Sequence, residues 1–510
     1  MQGVHSWVRQ WAVVNATGTA VTCDGASVSW AELDRRVDVY ARHLSSLGVG
    51  PGDRVGCLMP NCVEYLETLY ATSRIGAIFV PVNVRYTATE LAFAAEHAGL
   101  RLLAADESFA AVISEAGLAA AVDWRADRPL AGPRFDGDDV ARWGDDGYLL
   151  YTSGSTGRPR AALHAQESFL WASMDGLLCH RYGPDDRMLS ALPLCFTGGL
   201  DVATQLAHCG GELVLMPSFD AGQALDLVES RRVTLFHGVP LMCQKLVDHP
   251  RWAGTDLSSM RLARTGAAPV PVALLRAWAQ RGVPLLQGYG QTESAGSGLL
   301  LLAPDAGRYG KAGRASCYLD VRLVDPGTGA DVPVGEVGEL IMRGPQVMRG
   351  YWNDPEATAM VLRDGWLWTG DLAFVDEDGF YQIAGRSKDL IITGGLNVFP
   401  AEVEEVIRQV PGIAEVAVVG VPSERWGEAV VAVVVGADGD SGGGDVAVDL
   451  VAVQEHCRAV LADYKRPKRV VVSPQSLPRT ASAKIIKHEV RRWVIDALAG
   501  SPAGPVAEAG

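Results

Sequence analysis

Apolar positions along the first third of the chain repeat with two periods in turn. Leu33, Val37, Tyr40, Leu44 and Leu47 fall at helical spacing behind the capping-box pattern Ser29-Trp30-Ala31-Glu32, and Gly48 supplies a left-handed stop. The stretches 54–59 and 78–82 read as short buried strands on either side of a helix over 62–74. The alternation continues with strands at 213–216 and 234–236 and helices around 221–231 and 270–281. Strands that alternate with helices build parallel α/β layers.

After Gly385 the pattern changes. Pro400 opens a helix carrying Val403, Val406, Ile407 and Val410, two Val-rich strands follow at 414–421 and 429–435, and an Asp/Gly loop at 438–445 leads to a helix around 448–461. The fold class expected is α/β: a large N-terminal region of layered α/β subdomains over 1–385, then a small α+β domain to 497. Residues 498–510, rich in Ala, Gly and Pro, read as a frayed tail.

Composition narrows the function. Apolar residues at 48% and charged residues at 21% are ordinary globular usage, which excludes collagen-like, mucin-like and wholly disordered chains. The formal charge is -15 and there is no basic block, so no nucleic-acid partner is expected. No apolar run approaches the roughly 18 residues of a membrane span. The start, Met1-Gln2-Gly3-Val4-His5, lacks a signal peptide and a myristoylation glycine, and the end carries no receptor-read address. A soluble cytoplasmic protein is the expectation. Nine cysteines without a Cys-x-x-Cys pair fit reduced, mostly buried thiols, and ten scattered histidines form no ligand cluster.

Gly is abundant, with 57 copies, and one cluster stands out. Tyr151-Thr152-Ser153-Gly154-Ser155-Thr156-Gly157-Arg158-Pro159-Arg160 follows the apolar Tyr148-Leu149-Leu150 and offers backbone N–H groups, hydroxyls and two cations at one turn, as an anionic phosphate requires. It is not a Walker A loop, since Pro159 stands where that loop needs Gly. On composition alone a Ser/Gly surface loop is the lesser alternative.

This loop resembles the phosphate loop of the adenylate-forming enzymes, the group of acyl- and aryl-CoA synthetases, firefly-type luciferases and peptide-synthetase adenylation domains. Further matches follow in the family's order: Thr265-Gly266-Ala267-Ala268-Pro269, Gly288-Tyr289-Gly290-Gln291-Thr292-Glu293, the stretch 335–351, Trp368-Thr369-Gly370-Asp371, Gly385-Arg386-Ser387-Lys388-Asp389, Gly394-Gly395-Leu396-Asn397, and Pro478-Arg479-Thr480 with Lys484. Together they span nearly the whole chain.

The resemblance implies a two-step ligase. A carboxylate attacks the α-phosphate of ATP to give acyl-AMP and pyrophosphate, and a thiol then displaces AMP. The first step joins two anions and needs pre-placed positive charge and donors. By resemblance Lys484 supplies that charge from the small domain, Thr292 donates to the α-phosphate, and Glu293 holds Mg²⁺. Thr152, Ser153, Gly154, Ser155, Thr156, Gly157 and Arg160 cradle phosphate; Gly266, Ala267, Ala268, Gly288, Tyr289 and Gly290 surround adenine; Asp371, Ile383 and Arg386 complete the nucleotide site. Lys388 becomes the hinge within 386–388, and 389–497 becomes a domain that swings between the half-reactions. In the second pose Gly394 and Gly395 line a pantetheine tunnel.

Ser423-Glu424-Arg425-Trp426-Gly427 and Asp463-Tyr464-Lys465-Arg466-Pro467 resemble segments with which 4-chlorobenzoate-type CoA ligases grip the CoA nucleotide. Trp426, Tyr464 and Arg466 are therefore CoA candidates, with a phosphopantetheinyl carrier protein as the alternative thiol. The substrate is a small carboxylic acid, aryl, carbocyclic or medium-chain, and the oligomeric state is left open, a homodimer included. The resemblance puts Phe196, Gly198, Gly199, His237, Gly238 and Ala268 around the acyl pocket. His237 reads either as a hydrogen-bonding group for a polar substituent or as a histidine satisfied by backbone. Three positions depart from the family pattern: Phe196 for a usual His, Arg160 for a usual Lys, and Ala483 for a usual Gly.

Overall fold

The computed structural model describes residues 3–129, 131–135, 141–152, 159–436, 448–479, 485–499 and 506–508. The chain forms two compact units, Met1–Arg322 with Ile341–Trp368, and Leu323–Leu340 with Thr369–Gly510.

The first unit holds two large sheets. One has seven strands in the spatial order Gly350–Tyr351, Arg160–Ala165, Asp146–Thr152, Ile78–Pro81, Arg54–Leu58, Leu100–Ala105 and Val122–Trp124. Its inner strands are parallel. Strands buried on both faces need no polar alternation, which is why 55–58 and 78–81 read as continuous apolar runs. The helix ahead of them, Trp30–Ser46, forms half of the expected capping box: Ser29 Oγ accepts from Glu32 N at 3.2 Å. The Glu32 carboxylate turns instead to Arg35 and Arg36, each at 2.7 Å.

The other sheet has nine strands, and its parallel centre places Arg187–Ser190, Leu235–His237, Leu262–Thr265 and Leu285–Gly290 side by side. Trp278 anchors the helices over this sheet, with ring centroids 5.7 Å from Phe236 and 4.9 Å from Trp252. In open parallel sheets the crevice beyond the carboxyl ends of the strands is where ligands bind. Gly238, Gly266 to Ala268 and Gln291 to Glu293 all follow such ends.

The second unit is built on the long antiparallel pair Ile413–Ser423 and Gly427–Gly436. Val416, Val418, Val430 and Val434 face the helices Pro400–Arg408 and Leu450–Val460, whereas Val419, Val421, Val431 and Val433 pack against Val490 and Val494 of Lys487–Ala499. Both faces are buried, so the Val runs follow from period-two geometry. Arg386 ends the strand Tyr381–Arg386, which pairs antiparallel with Trp366–Val375, so the stretch 386–388 lies inside the second unit. Val506–Glu508, within the stretch read as tail, pairs antiparallel with 469–471. The loop at 438–445 lies outside the described residues, and none of the helices among them is long and apolar enough to cross a membrane.

Candidate active site

Ser153, Gly154, Ser155, Thr156, Gly157 and Lys484 lie outside the described residues. The loop's two flanks are described: Thr152 and Arg160 are directly opposite in the antiparallel pair Asp146–Thr152 and Arg160–Ala165. The loop therefore joins two strands of a hairpin, unlike a Walker A loop, which runs from strand into helix. Arg160 reaches Asp354 Oδ2 at 3.5 Å, and its guanidinium carbon stands 5.5 Å from the centroid of the Tyr351 ring. Tyr351 in turn donates its hydroxyl to Glu293 Oε1 at 2.8 Å.

Glu293 sits in the short turn Thr292–Ser294, which is held from several sides. Met348 N–H donates to the Glu293 carbonyl at 2.8 Å, Thr197 Oγ1 donates to Thr292 Oγ1 at 3.2 Å, and His164 Nε2 donates to the Thr292 carbonyl at 2.8 Å. Burial pushes the His164 imidazole down to about 4, so it is neutral and its protonated nitrogen is the donor. No linear motif contains His164, and the matched stretch 335–351 ends on Tyr351 without giving it a role. Only the three-dimensional approach of 164, 197 and 348–351 to one turn reveals them.

Gly266, Ala267 and Ala268 follow one strand, and Gly288, Tyr289 and Gly290 end its neighbour, so the structure brings these six together. A Cβ on Gly266 would stand 2.9 Å from the Gly288 carbonyl oxygen, and one on Gly290 would stand 1.9 Å from that of Gly296. Backbones this close leave no room for a side chain. Ala267 adopts φ +67°, a left-handed conformation that a non-glycine residue takes only where its surroundings enforce it. Gln291 Nε2 donates to Tyr289 Oη at 3.0 Å.

Phe196 precedes the helix Thr197–Cys209, whose first turn carries Gly198 and Gly199. The two glycines differ. A Cβ at Gly198 would meet only Leu192 Cδ1, at 3.8 Å, while one at Gly199 would stand 2.4 Å from the Pro193 carbonyl oxygen. Gly199 is small so that the helix can seat on 193–194, and Gly198 is small toward open space. A Cβ at Gly238 would press on the Phe236 ring at 2.8 Å.

His237 is half-buried, and its Nδ1 is enclosed with no hydrogen-bond partner among the described residues. Burial, with the Arg264 charge adding to it, holds the imidazole neutral, well below its ordinary range. Arg264 lies opposite His237 in the sheet and donates to Gln205 Oε1 at 3.1 Å. Asp201 takes Gln205 Nε2 at 2.7 Å, and burial raises Asp201 to about 6 and Asp175 to about 7. This polar cluster beside the expected acyl residues has no linear motif. Its members come from separate elements, and no local spacing announces them.

In the second unit Asp371 and Arg386 face each other across paired strands, with Arg386 Nε 3.1 Å from Asp371 Oδ1, and Ile383 lies opposite Ala373 on the same pair. Lys388 is exposed in the turn Ser387–Asp389. Gly394 and Gly395 have φ of +58° and +80°; Gly394 N–H donates to the Trp426 carbonyl at 2.7 Å, and a Cβ on Gly395 would meet nothing within 4 Å. Trp426 and Arg466 line a cleft of about 560 Å³ whose rim also carries Arg425, Arg458, Lys468 and Arg469. Arg425 and Lys468 stand 4.6 and 5.5 Å from the Trp426 ring centroid. Tyr464 is in the adjoining turn Asp463–Lys465, and Arg466 donates to the Leu461 carbonyl at 3.0 Å.

The AMP-binding enzyme family matches residues 8–352, and the AMP-binding enzyme C-terminal domain matches residues 402–484. The chain is 44% identical over 499 residues to the feruloyl-CoA synthase of an Amycolatopsis species, covering 96% of this chain and 99% of that one. It is 38% identical over 507 residues to the indoleacetate–CoA ligase of Aromatoleum aromaticum, with 96% and 98% covered. The ATP-bound structure of MatB from Rhodopseudomonas palustris superposes with a TM-score of 0.89 at 33% identity, over 97% of this chain and 100% of that one. With its sheet ends, paired glycines and two-unit build, the chain belongs to the AMP-binding enzyme family, as an acyl-CoA synthetase-like ligase.

Proposed function

We propose that this ligase activates an aryl or carbocyclic acid bearing a polar substituent and passes the acyl group from AMP to free CoA. The observation that carries the acid is His237, whose enclosed Nδ1 has no hydrogen-bond partner among the described residues, at a position that the family resemblance assigns, with Gly198 and Ala268, to the acyl pocket. A buried polar atom without a partner costs about 1–3 kcal/mol, and a substrate hydroxyl or keto oxygen relieves that cost. The names of the relatives agree with an aromatic acid, since one is a feruloyl-CoA synthase and another an indoleacetate–CoA ligase.

In the first step a substrate carboxylate oxygen attacks the α-phosphorus and pyrophosphate leaves. Lys484 and Thr292 stabilise charge at that phosphorus, and the loop Thr152 to Arg160 holds the remaining phosphates. Asp371 and Arg386 receive the ribose hydroxyls, and Tyr289 stacks on adenine. Glu293 supplies a carboxylate, a hard oxygen donor that suits Mg²⁺, and Tyr351 fixes its orientation. Bound there, Mg²⁺ neutralises phosphate charge. In the second step the CoA thiol attacks the acyl carbon and AMP leaves. The Trp426 cleft, lined by four arginines and Lys468, suits an adenine with a 3′-phosphate and supports free CoA over a carrier protein.

The test is pyrophosphate release with paired acids, cinnamate against 4-hydroxycinnamate and benzoate against 4-hydroxybenzoate, with medium-chain acids alongside. The hydroxylated member is expected to win by about 10-fold or more in kcat/KM, and His237→Leu to erase the difference. Equal rates on both members, in wild type and variant alike, overturn the acid assignment. Thioester formed with a phosphopantetheinylated carrier but not with CoA overturns the thiol assignment.

A further inference from the structure

All nine cysteines are free thiols, and seven are buried. Cys179 and Cys317 are half-buried, and their Sγ atoms stand 3.1 Å apart although 138 residues separate them in the chain. Cys179 ends the helical turn Asp175–Cys179, and Cys317 follows the edge strand Arg314–Ala315. Other groups set this approach. The Asp175 carboxylate accepts from Cys317 N–H at 3.1 Å and from Ser297 Oγ at 3.0 Å, and Gln346 Nε2 donates to the Cys317 carbonyl at 3.0 Å. Ser316 N–H donates to the Gly298 carbonyl at 2.9 Å. The two segments are thus held in register whatever the state of the sulfurs.

Two sulfurs this close suit either a covalent bond or a shared metal ion. Asp175 completes a trio whose ligand atoms lie within 4.8 Å of one another. Yet both its carboxylate oxygens already accept hydrogen bonds, and two thiolates on one tetrahedral zinc stand roughly 3.8 Å apart, from Zn–S bonds of about 2.3 Å. A disulfide needs about 2.05 Å, so closing the pair moves the sulfurs by about 1 Å. Since the backbone on both sides is fixed, that movement falls on the two side chains.

We propose that Cys179 and Cys317 form a redox-active dithiol that closes to an intramolecular disulfide under mild oxidation by a peroxide. Burial and the neighbouring Cys317 sulfur push the Cys179 thiol up to about 12. The Cys317 sulfur attacks one peroxide oxygen, the O–O bond breaks, and water leaves with the thiol proton, leaving Cys317 as S–OH. The Cys179 sulfur then attacks Cys317 Sγ, the S–O bond breaks, and a second water leaves with the second thiol proton. Two electrons pass from the sulfurs to the peroxide oxygens, and a thiol reductant reverses the change.

The cross-link closes a loop that contains Arg187–Ser190, Glu212–Leu215, Leu235–His237, Leu262–Thr265 and Leu285–Gly290, the parallel strands that bear the candidate site. Restricting the unfolded chain over so long a loop stabilises the fold. The oxidised form is a stapled version of the same structure, independent of which acid or thiol the enzyme uses.

The experiment treats reduced, desalted full-length protein with a small excess of hydrogen peroxide, and titrates a second sample with Zn²⁺. Free thiols are expected to fall from nine to seven, non-reducing peptide mapping to recover a Cys179–Cys317 cross-linked peptide, and Tm to rise by about 3 °C or more. Dithiothreitol is expected to restore all three. Cys179→Ser and Cys317→Ser each abolish the cross-link and the Tm rise while the reduced variants melt near the reduced wild type. Nine thiols after oxidation, or a cross-link between other cysteines, overturns the proposal. So does one Zn²⁺ bound per chain with the pair thereby protected from peroxide, which assigns the trio to a metal. Peptide mapping of the wild type decides the matter even where a serine variant folds poorly.

Discussion

Tyr351 donates its phenolic hydroxyl to Glu293 Oε1 at 2.8 Å, and Arg160 stands over the same ring, 5.5 Å from its centroid. One aromatic side chain thus joins Arg160, at the end of the proposed phosphate loop, to the carboxylate proposed to hold Mg²⁺. Replacing Tyr351 by Phe keeps the ring and removes only the donor. Carboxylate-dependent pyrophosphate release is expected to fall by roughly 10-fold, with the Mg²⁺ concentration for half-maximal rate raised several-fold, as for other groups that orient a metal ligand. Unchanged Mg²⁺ dependence counts against Glu293 as the ligand.

Lys484→Ala is expected to lower adenylation by at least about 100-fold while sparing thioester formation from supplied acyl-AMP. Measuring the half-reactions separately checks this. Equal loss in both assigns Lys484 to something other than charge at the α-phosphorus.

Gly198 and Gly199 make a paired prediction, because their missing side chains face different surroundings. Gly199→Ala drives a methyl to within 2.4 Å of the Pro193 carbonyl oxygen and is expected to cost about 1–3 kcal/mol of stability, seen as a lower Tm. Gly198→Ala has room and keeps the Tm, but raises KM for bulky acids more than for small ones. A Tm loss at Gly198 equal to that at Gly199 contradicts the reading of open space beside it.

His164 gives the first unit a pH dependence of known sign. Its folded pKa, about 4, lies below the ordinary 6.5, so neutral His164 contributes stability that is full above pH 6.5 and lost as the pH falls toward 4. The contribution is up to about 3 kcal/mol, since each pH unit between the folded and ordinary values is worth about 1.4 kcal/mol. In His164→Gln the amide can still donate to the Thr292 carbonyl but does not titrate. Between pH 7 and 5 the variant is expected to lose less Tm than the wild type. Parallel losses remove His164 as the source.

The family resemblance found in the sequence placed candidate residues that the fold then gathers at the sheet's carboxyl ends, Gly266 to Ala268 beside Gly288 to Gly290. Those matches were legible because a phosphate or an adenine needs several groups from one short segment, which leaves a linear motif. His164, Arg264 and Asp201 left no such mark, since each meets the site by packing of distant elements, and Tyr351 closes the matched stretch 335–351 without its contact to Glu293 being legible there. The glycines at 198 and 199 read alike in the sequence and differ only once the backbone of 193–194 is in place.

Periodicity, caps and turn residues determined the alternation of helices and strands by themselves, because they act through contacts a few residues apart. The Ser29 cap and the stop at Gly48, φ +80°, are both local in this sense. Whether Tyr351 would reach Glu293, and whether two cysteines 138 residues apart would touch, depended on which surfaces the folded chain brought together. Such contacts have no signature in sequence spacing, since the energy that selects them comes from burial shared across the whole unit.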